Sequence, residues 1–483
     1  MELKLTHIAC AAALAAFSSA SWAVAPGSCA GTSANFDIDV YLAGASAVQN
    51  SLGGVISEIL NPGFTVVYDN GTSGTKGSAY RAYCGTLNAT TGALAGKKVR
   101  FLDRARGGSV WGVNPVARDQ AIATLNFADA ACAASATAGV NFECSEIGND
   151  LNAATAGNRK PDFGISDVEP QMFKDPINVE FGQNQLSATE LAKVTGGIKS
   201  GYQVIFGPAV TLNVNLSDLS RTQVASLLTG QYVTWDQAGS SLNTPVTVCR
   251  RVQGSGTQAA FNQYFLNFPC GANNIAQSGN ASPTRMTDSA GYGVSGTGAS
   301  QADPIVIDPS AGPTTVENPA SGDVRSCLIN AQNGTDYAFK GDDGKFYRIK
   351  FSAPGGPYGA IGVLSLDSKG NTGFGTQWKF AKLNGIDPTV QANAQMGLYD
   401  FVFENTFQRN STKVYPNPNY TTFINLFIQK AQSESILRGI ANVNVRQSLL
   451  ALPTATNPVP SAANITSKWT RSANSCKAGQ FVY

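Results

Sequence analysis

The chain has 483 residues, of which 43% are apolar, so it is long enough to build two or three domains with sizeable cores. Its formal net charge is +2 and charged residues make up only 14% of it, which excludes the basic stripe of a nucleic-acid-binding protein. The single histidine is His7, so the chain beyond its leader has no histidine for a catalytic triad, a metal site or acid–base chemistry.

The first 23 residues have the pattern of a secretory signal. Lys4 supplies the positive start, Ile8 to Phe17 form a short apolar run, and Ser21-Trp22-Ala23 is a small-x-small cleavage site. No later apolar run reaches the roughly 18–20 residues that a membrane span requires. We therefore predict an exported protein with no membrane span.

The cysteine count agrees with export. Eight cysteines remain once Cys10 of the leader is set aside, and an even number in an oxidising compartment favours disulfides. Cys132–Cys144 and Cys249–Cys270 are plausible local pairs, although the spacing alone leaves the connectivity open. No CxxC pair is present, which gives a zinc or thioredoxin-like site little support.

In the first part of the chain, segments repeat the order strand, polar turn, helix. Residues 36–42 alternate as a strand does and lead into a helical pattern over 48–60. Residues 98–102 are a further strand, followed by a glycine-rich loop and a partly helical run over 110–125. Such repeats predict an α/β fold with parallel strands, whose ligands bind at the carboxyl ends of the strands.

The remaining elements follow the same logic. The patterns predict a short strand ending at Asp167, a strand over 204–214, a helix over 219–230, a long loop or insertion over 272–323, a hairpin over 337–351, a strand over 399–403 and a helix over 421–441.

One loop, Arg250-Arg251-Val252-Gln253-Gly254-Ser255-Gly256-Thr257, has the composition of an oxyanion site. Arginine offers a fixed fork of charged donors, and serine and threonine add hydroxyls. Glycines let the backbone approach an anion closely, and the helical pattern from Gln258 would aim free N–H groups at it. Gly/Ser loops beside surface arginines are common, so the loop alone does not decide the function.

Four segments together carry a resemblance to a known family. They are Leu42-Ala43-Gly44-Ala45-Ser46-Ala47, Gly107-Gly108-Ser109-Val110, Phe163-Gly164-Ile165-Ser166-Asp167 and the loop 250–257. In this order they resemble the substrate-binding proteins of phosphate ABC transporters, and segments 227–236 and 359–362 also fit. The resemblance is interrupted over about 126–161 and 271–357.

The resemblance implies a two-lobed periplasmic binding protein fold of the type II kind, with the ligand in a cleft between α/β lobes. Its expected division is 24–208 plus 405–483 for one lobe and 209–404 for the other, with an insertion around 272–356. Hinge crossings near 208–214 and 400–405 would close the lobes. No cofactor and no metal are implied.

The resemblance also implies a role for each matched residue. Arg251 is the expected cationic partner of phosphate, and Ser46, Ser109, Ser255, Gly256 and Thr257 are expected to donate hydroxyl or backbone hydrogen bonds. Asp167 would accept a hydrogen bond from a protonated phosphate, which sulfate cannot offer. Asp167 could instead be only a helix N-cap.

One residue departs from the family pattern. Gln253 stands where the family loop usually has an acid, which removes a negative charge beside the arginine and puts ligand identity and selectivity in question.

These observations predict a non-enzymatic, monomeric solute-binding protein of the periplasm. It would capture inorganic phosphate for an ABC permease and ATPase, and would have no nucleic-acid partner. Two alternatives of other classes stay open. One is a phosphatase-like exported relative, against which the missing histidines argue, and the other is a secreted adhesin or matrix protein of the same fold.

Overall fold

The structure, a computed structural model, describes residues 26–71, 77, 79–179, 183–270, 295–341 and 343–482. The predicted signal at 1–23 and part of the loop predicted over 272–323 lie outside these residues. Within the described ranges, no helix is both long and apolar enough to cross a membrane.

Ten α-helices lie in the described residues. They are Gln49–Ile59 (α1), Val110–Arg118 (α2), Ala188–Thr195 (α3), Arg221–Leu228 (α4), Gly256–Leu266 (α5), Ser321–Asn333 (α6), Gln391–Gln395 (α7), Pro418–Gln432 (α8), Glu434–Gly439 (α9) and Val443–Gln447 (α10).

The strands of the same residues are Ile38–Gly44 (β1), Thr65–Asp69 (β2), Tyr80–Thr86 (β3), Lys98–Arg104 (β4), Thr124–Leu125 (β5), Cys132–Ala134 (β6), Phe142–Cys144 (β7), Glu146–Ile147 (β8), Phe163–Ser166 (β9), Lys199–Thr211 (β10), Asp218–Leu219 (β11), Thr247–Arg251 (β12), Ile305–Ile307 (β13), Thr314–Asn318 (β14), Tyr337–Lys340 (β15), Phe346–Ile349 (β16), Ala360–Ser365 (β17), Trp378–Phe380 (β18), Lys382–Leu383 (β19), Val402–Gln408 (β20), Leu449–Leu450 (β21), Trp469–Thr470 (β22) and Gln480–Phe481 (β23).

One large sheet organises the fold, in the order β14-β12-β17-β10-β20-β9-β1-β4-β3-β2-β7-β6. The long strand β10 joins two halves of it. Residues 199–205 pair with β20, which leads to the first half, β20 to β6, whereas residues 206–210 pair with β17, which leads to the second half, β17 to β14. The predicted α/β class is confirmed, and the site described below lies between the two halves.

The parallel strands that the sequence predicts are present, although the sheet as a whole is mixed. Strand β1 is parallel to β4 and β9, and β12 is parallel to β14 and β17. Strands β3, β10 and β20, by contrast, pair antiparallel with their neighbours. Strand β3 was not predicted at all.

Helix α8 shows how sequence spacing places an element. Its buried residues recur at helical intervals along one face: Tyr420, Phe423, Ile424, Phe427, Ile428 and Ala431. The Phe427 ring lies 4.8 Å from that of Phe101 in β4, so this face covers the first sheet half. The single helix predicted over 421–441 is two helices, because Ser433 between them has an extended backbone.

The loop predicted over 272–323 contains regular structure where it is described. Strand β14 pairs with β12 in the main sheet, and α6 begins at Ser321. Strand β14 has only five residues, so its pattern is too short to be recognised within a stretch rich in glycine and serine. The division of the chain into lobes at the predicted boundaries stays a prediction.

All eight cysteines beyond the leader form disulfides: Cys29–Cys84, Cys132–Cys144, Cys249–Cys327 and Cys270–Cys476. The predicted pair Cys132–Cys144 is confirmed, and the predicted pair Cys249–Cys270 is wrong. Cys249 lies in the core beneath α6 and bonds to Cys327 of that helix. Cys270 bonds instead to Cys476 in the C-terminal segment. Sequence proximity was misleading because the sheet brings distant segments together.

Removing the Cys249–Cys327 disulfide is expected to lower the free energy of unfolding by about 2–4 kcal/mol, because it closes a long loop in the unfolded chain. Its sequence separation is 78 residues, against 12 for Cys132–Cys144. Chemical denaturation of the Cys249→Ala/Cys327→Ala variant measures the loss. The Cys132→Ala/Cys144→Ala variant is the matched control, and an equal or larger loss there would contradict the loop-length argument.

Candidate anion-binding site

Four loops meet at the carboxyl ends of strands β1, β4, β9 and β12. Each loop carries a residue that the sequence singled out, in chain order Ser46, Ser109, Asp167 and Arg251. The loops after β1, β4 and β12 lead into α1, α2 and α5. The site therefore collects helix N-termini, whose first-turn N–H groups have no partner within the helix.

Arg251 links the two sheet halves, because it contacts Ser46 of the first half as well as residues of its own half. Its Nη1 donates to the Ser46 hydroxyl at 2.6 Å and to the Ser321 hydroxyl at 3.3 Å. Its Nη2 donates to the Pro319 carbonyl at 2.8 Å, and its Nε donates to that of Asn318 at 3.2 Å. The guanidinium is 2% exposed and held in one orientation, so its charge is little screened by water.

Helix α5 presents its N-terminus beside this arginine. Ser255 is the N-cap, and its hydroxyl accepts from the Gln258 N–H at 3.4 Å. Gly256 and Thr257 form the first turn, where backbone N–H groups point out of the helix toward an anion. The carbonyl of Gly254 accepts from the Val110 N–H at 2.9 Å, which ties this loop to the start of α2.

Asp167 faces the same helix end. Its Oδ2 accepts from the Thr257 hydroxyl at 3.1 Å, whereas its buried Oδ1 has no hydrogen-bond partner. Burial raises the pKa of this carboxyl to about 6, against the lowering effects of the Thr257 hydroxyl and the charge of Arg251. The Asp167 backbone N–H donates to the Ser109 hydroxyl at 3.1 Å, which fixes both residues.

Glycine is required at two close approaches in this site. A Cβ at position 256 would lie 2.2 Å from the Ser109 Oγ and 2.8 Å from the Asp167 Cβ. At position 108, which has φ +88°, a Cβ would lie 2.9 Å from the Ser255 Cα and 3.3 Å from the Arg251 Nη2. The loops therefore pack as closely as their backbones permit, which holds the polar groups in register.

Gly256→Ala is expected to weaken anion binding about 10- to 100-fold, because the new methyl group must push Ser109 or Asp167 out of place. Isothermal titration calorimetry with phosphate measures the loss. Gly197→Ala is the matched control, since a Cβ there meets nothing within 4 Å. Unchanged affinity in Gly256→Ala would show that the tight packing has no bearing on the ligand.

All seven residues predicted for the site lie together, joined by the contacts given above. Sequence reasoning missed Ser321, the first residue of α6, and the carbonyls of Asn318 and Pro319. A signal for α6 was present, because Val324, Cys327, Leu328 and Ala331 recur at helical spacing. The high glycine and serine content of the preceding stretch predicts an insertion instead.

Gln253, the departure from the family pattern, is 8% exposed within the loop. A carboxylate does pair with the first arginine of this segment, because the Oε1 of Glu317 in β14 lies 3.1 Å from the Nη2 of Arg250. Among the described residues, no cluster of three or more His, Cys, Asp or Glu side chains could hold a metal ion. The polar groups gathered here suit an anion rather than a cation.

Comparison with protein-family models and with curated proteins returns no match. Solved structures that resemble the chain include a protein of Clostridium perfringens with bound phosphate, described as a phosphate ABC transporter substrate-binding protein. It is 12% identical, with 86% of this chain and 99% of that one covered and a TM-score of 0.39. PstS from Borrelia burgdorferi is 12% identical, with 86% and 100% covered and a TM-score of 0.34.

A phosphate-binding protein from Stenotrophomonas maltophilia is 16% identical, with 58% and 71% covered and a TM-score of 0.32. The TM-scores and identities of these structures are too low to bear on the chemistry of this chain, which is argued from its own residues.

Proposed function

We propose that this protein captures inorganic phosphate between the two halves of its sheet and releases it unchanged. The proposal rests on one observation: a positive charge and hydrogen-bond donors lie beside a hydrogen-bond acceptor at one buried point. Arg251 supplies a buried positive charge and the N-terminus of α5 supplies N–H donors, whereas Asp167 offers an acceptor oxygen that has no hydrogen-bond partner. A fully deprotonated anion satisfies the donors only, but phosphate keeps a proton at neutral pH and satisfies both.

Selectivity follows from the cost of an unpaired buried acceptor. Sulfate has no proton at neutral pH, so the Asp167 carboxylate would face its oxygens with no bridging hydrogen. A polar group left buried without a partner costs roughly 1–3 kcal/mol, and more where charge is involved. Phosphate avoids that cost because its remaining P–OH group donates a hydrogen bond to the Asp167 carboxylate.

The cellular role proposed here rests on the predicted leader and the four disulfides. An exported phosphate-binding protein without chemistry of its own fits capture in the periplasm and delivery to an ABC-type importer. Ser46 of the first sheet half already contacts Arg251 and Ser321 of the second half in this structure, so opening of the site to admit or release phosphate would separate these side chains.

Calorimetric titration of the ligand-stripped protein with phosphate and with sulfate tests the proposal. We expect micromolar or tighter phosphate binding with one site per chain, and sulfate binding at least about 100-fold weaker. Absence of phosphate binding by folded protein would overturn the proposal and favour the phosphatase-like or adhesin alternatives.

A further inference from the structure

A second buried carboxyl group in this region has no partner. Asp103 lies in β4, one residue before its end, and is 1% exposed. Neither of its two carboxyl oxygens has a hydrogen-bond partner. Among the carboxyl groups of the described residues, only Asp103 and Asp167 keep buried oxygens without such a partner. The proposed function uses Asp167 and leaves Asp103 unexplained.

The residue opposite Asp103 also has unused hydrogen-bonding capacity. Arg81 of β3 pairs with Asp103 across the antiparallel ladder and is 9% exposed. Its Nη1 donates to the Asn50 side chain at 2.8 Å, and its guanidinium lies 4.6 Å from the centre of the Tyr68 ring. Its Nε is buried and has no hydrogen-bond partner. Asp103 and Arg81 therefore leave two acceptors and one donor unfilled.

Asn50 also links Arg81 to a residue of the second sheet half, Asp367. Asn50 donates to the Asp367 Oδ2 at 2.7 Å, and Asp367 follows β17. The other oxygen of Asp367 accepts from the Ser365 hydroxyl at 2.5 Å, so this carboxylate is already satisfied. Arg325 of α6 adds a second cation here, close enough to Asp367 and Arg81 for their charges to affect its pKa.

This group is continuous with the anion site. Asn50 lies in the first turn of α1, four residues after Ser46. Burial raises the pKa of Tyr202, and the charges of Asp167, Asp103 and Asp367 raise it further, so all three carboxyl groups are near enough for their charges to act on this one side chain. The charge of Asp367 also raises the pKa of Asp167.

We propose that Asp103 and Arg81 form a subsite beside the anion site, which binds a hydroxyl group on the substituent of a phosphate monoester. This inference rests on the proposed function, because the phosphoryl group of such a ligand would occupy the anion site. The ligand class is a short hydroxylated phosphate ester, with inorganic phosphate binding through the anion site alone.

A hydroxyl group fits the unfilled capacity better than an amine does. A hydroxyl donates its hydrogen to an Asp103 oxygen and accepts from the Arg81 Nε with the same oxygen atom. An ammonium group has donors only, so the Arg81 Nε would stay unpaired. An ammonium group would also add positive charge next to Arg81 and Arg325. An alkyl substituent would leave both protein groups unsatisfied.

Calorimetric titration with four ligands tests the subsite: inorganic phosphate, glycerol 3-phosphate, ethyl phosphate and phosphoethanolamine. In the wild-type protein we expect glycerol 3-phosphate to bind at least about 10-fold more tightly than ethyl phosphate, and more tightly than phosphoethanolamine. Asp103→Leu, which removes the acceptors, is expected to reduce that preference to about 2-fold or less. Asp129→Leu, an exposed acid elsewhere, is the control and should keep it.

Each result supports or overturns the inference. Equal affinity for glycerol 3-phosphate and ethyl phosphate in the wild type overturns it, and so does tighter binding of phosphoethanolamine. Binding of inorganic phosphate with no binding of either ester overturns the subsite and leaves the proposed function standing. No binding of any of the four ligands overturns the proposed function itself. The wild-type comparison decides the question even where Asp103→Leu does not fold.

Discussion

Arg251→Met is expected to lower phosphate affinity about 100- to 1,000-fold, equivalent to roughly 3–4 kcal/mol of binding free energy. The guanidinium is buried at the junction of the two sheet halves, where its charge is little screened. Without the guanidinium, phosphate would still have to give up its hydration water on entering the site, but no buried positive charge would compensate that cost. Calorimetric titration of the folded variant measures the change.

Two further variants separate charge from geometry and from folding. Arg251→Lys keeps the positive charge but cannot reproduce the fork that contacts Ser46 and Pro319, so we expect an intermediate loss of about 10-fold. Arg348→Met removes an exposed arginine of β16 and is expected to leave affinity unchanged. Wild-type affinity in a folded Arg251→Met protein would place the phosphate elsewhere.

Asp167→Asn is expected to reduce the preference for phosphate over sulfate at least about 100-fold. The substitution replaces an acceptor-only carboxylate by an amide that can also donate. Sulfate then gains a hydrogen bond, while the proton of phosphate loses its strongest acceptor. Titration with both anions gives the ratio, and Asp129→Asn is the exposed control. An unchanged ratio would mean that Asp167 only holds the Thr257 side chain at the start of α5.

The same substitution has an expected effect on the ligand-free protein. Burial raises the pKa of Asp167 from 3.8 to about 6, so between these values the folded state binds a proton that the unfolded state has released. Stability contributed by this group therefore falls as pH rises from about 4 to 6 and stays low above that range. Asn does not titrate, so Asp167→Asn should unfold at a higher temperature than the wild type at pH 7.5.

The magnitude follows from the pKa difference. It corresponds to a gain on the order of 3 kcal/mol at neutral pH, and the gain should disappear below about pH 4. Thermal unfolding of both proteins at several pH values, without phosphate, provides the measurement. A variant that is less stable than the wild type at pH 7.5 would contradict the assignment of Asp167 as a buried carboxyl without a full set of partners.

The candidate site could be predicted from sequence to the extent that it is built from contiguous loops. Arg251, Ser255, Gly256 and Thr257 lie within seven consecutive residues, from the end of β12 to the first turn of α5, so these two elements fix their local geometry. Ser46, Ser109 and Asp167 follow their own strands, and parallel pairing carries the ends of β1, β4 and β9 to one edge. Local pattern and sheet geometry together account for these positions.

Contacts that depend on distant packing could not be predicted in this way. Ser321 reaches Arg251 only because β14 pairs with β12 and delivers α6 to the site. The partners of Cys249 and Cys270 are 78 and 206 residues away, and no local pattern selects them. The unpaired state of Asp103 is also invisible in sequence, because it depends on which side chains of β3 and the second sheet half fail to reach its oxygens.

The central claim is that a tetrahedral oxyanion binds where Arg251, the N-terminus of α5 and Asp167 meet. Anomalous diffraction from a crystal grown with arsenate, a phosphate analogue with a strong scatterer, tests it most directly. We expect one dominant arsenic peak, placed so that the arsenate oxygens lie within hydrogen-bonding distance of Arg251, Thr257 and the Oδ1 of Asp167. A dominant peak elsewhere, or a well-ordered site with no arsenic at saturating arsenate, would contradict the claim.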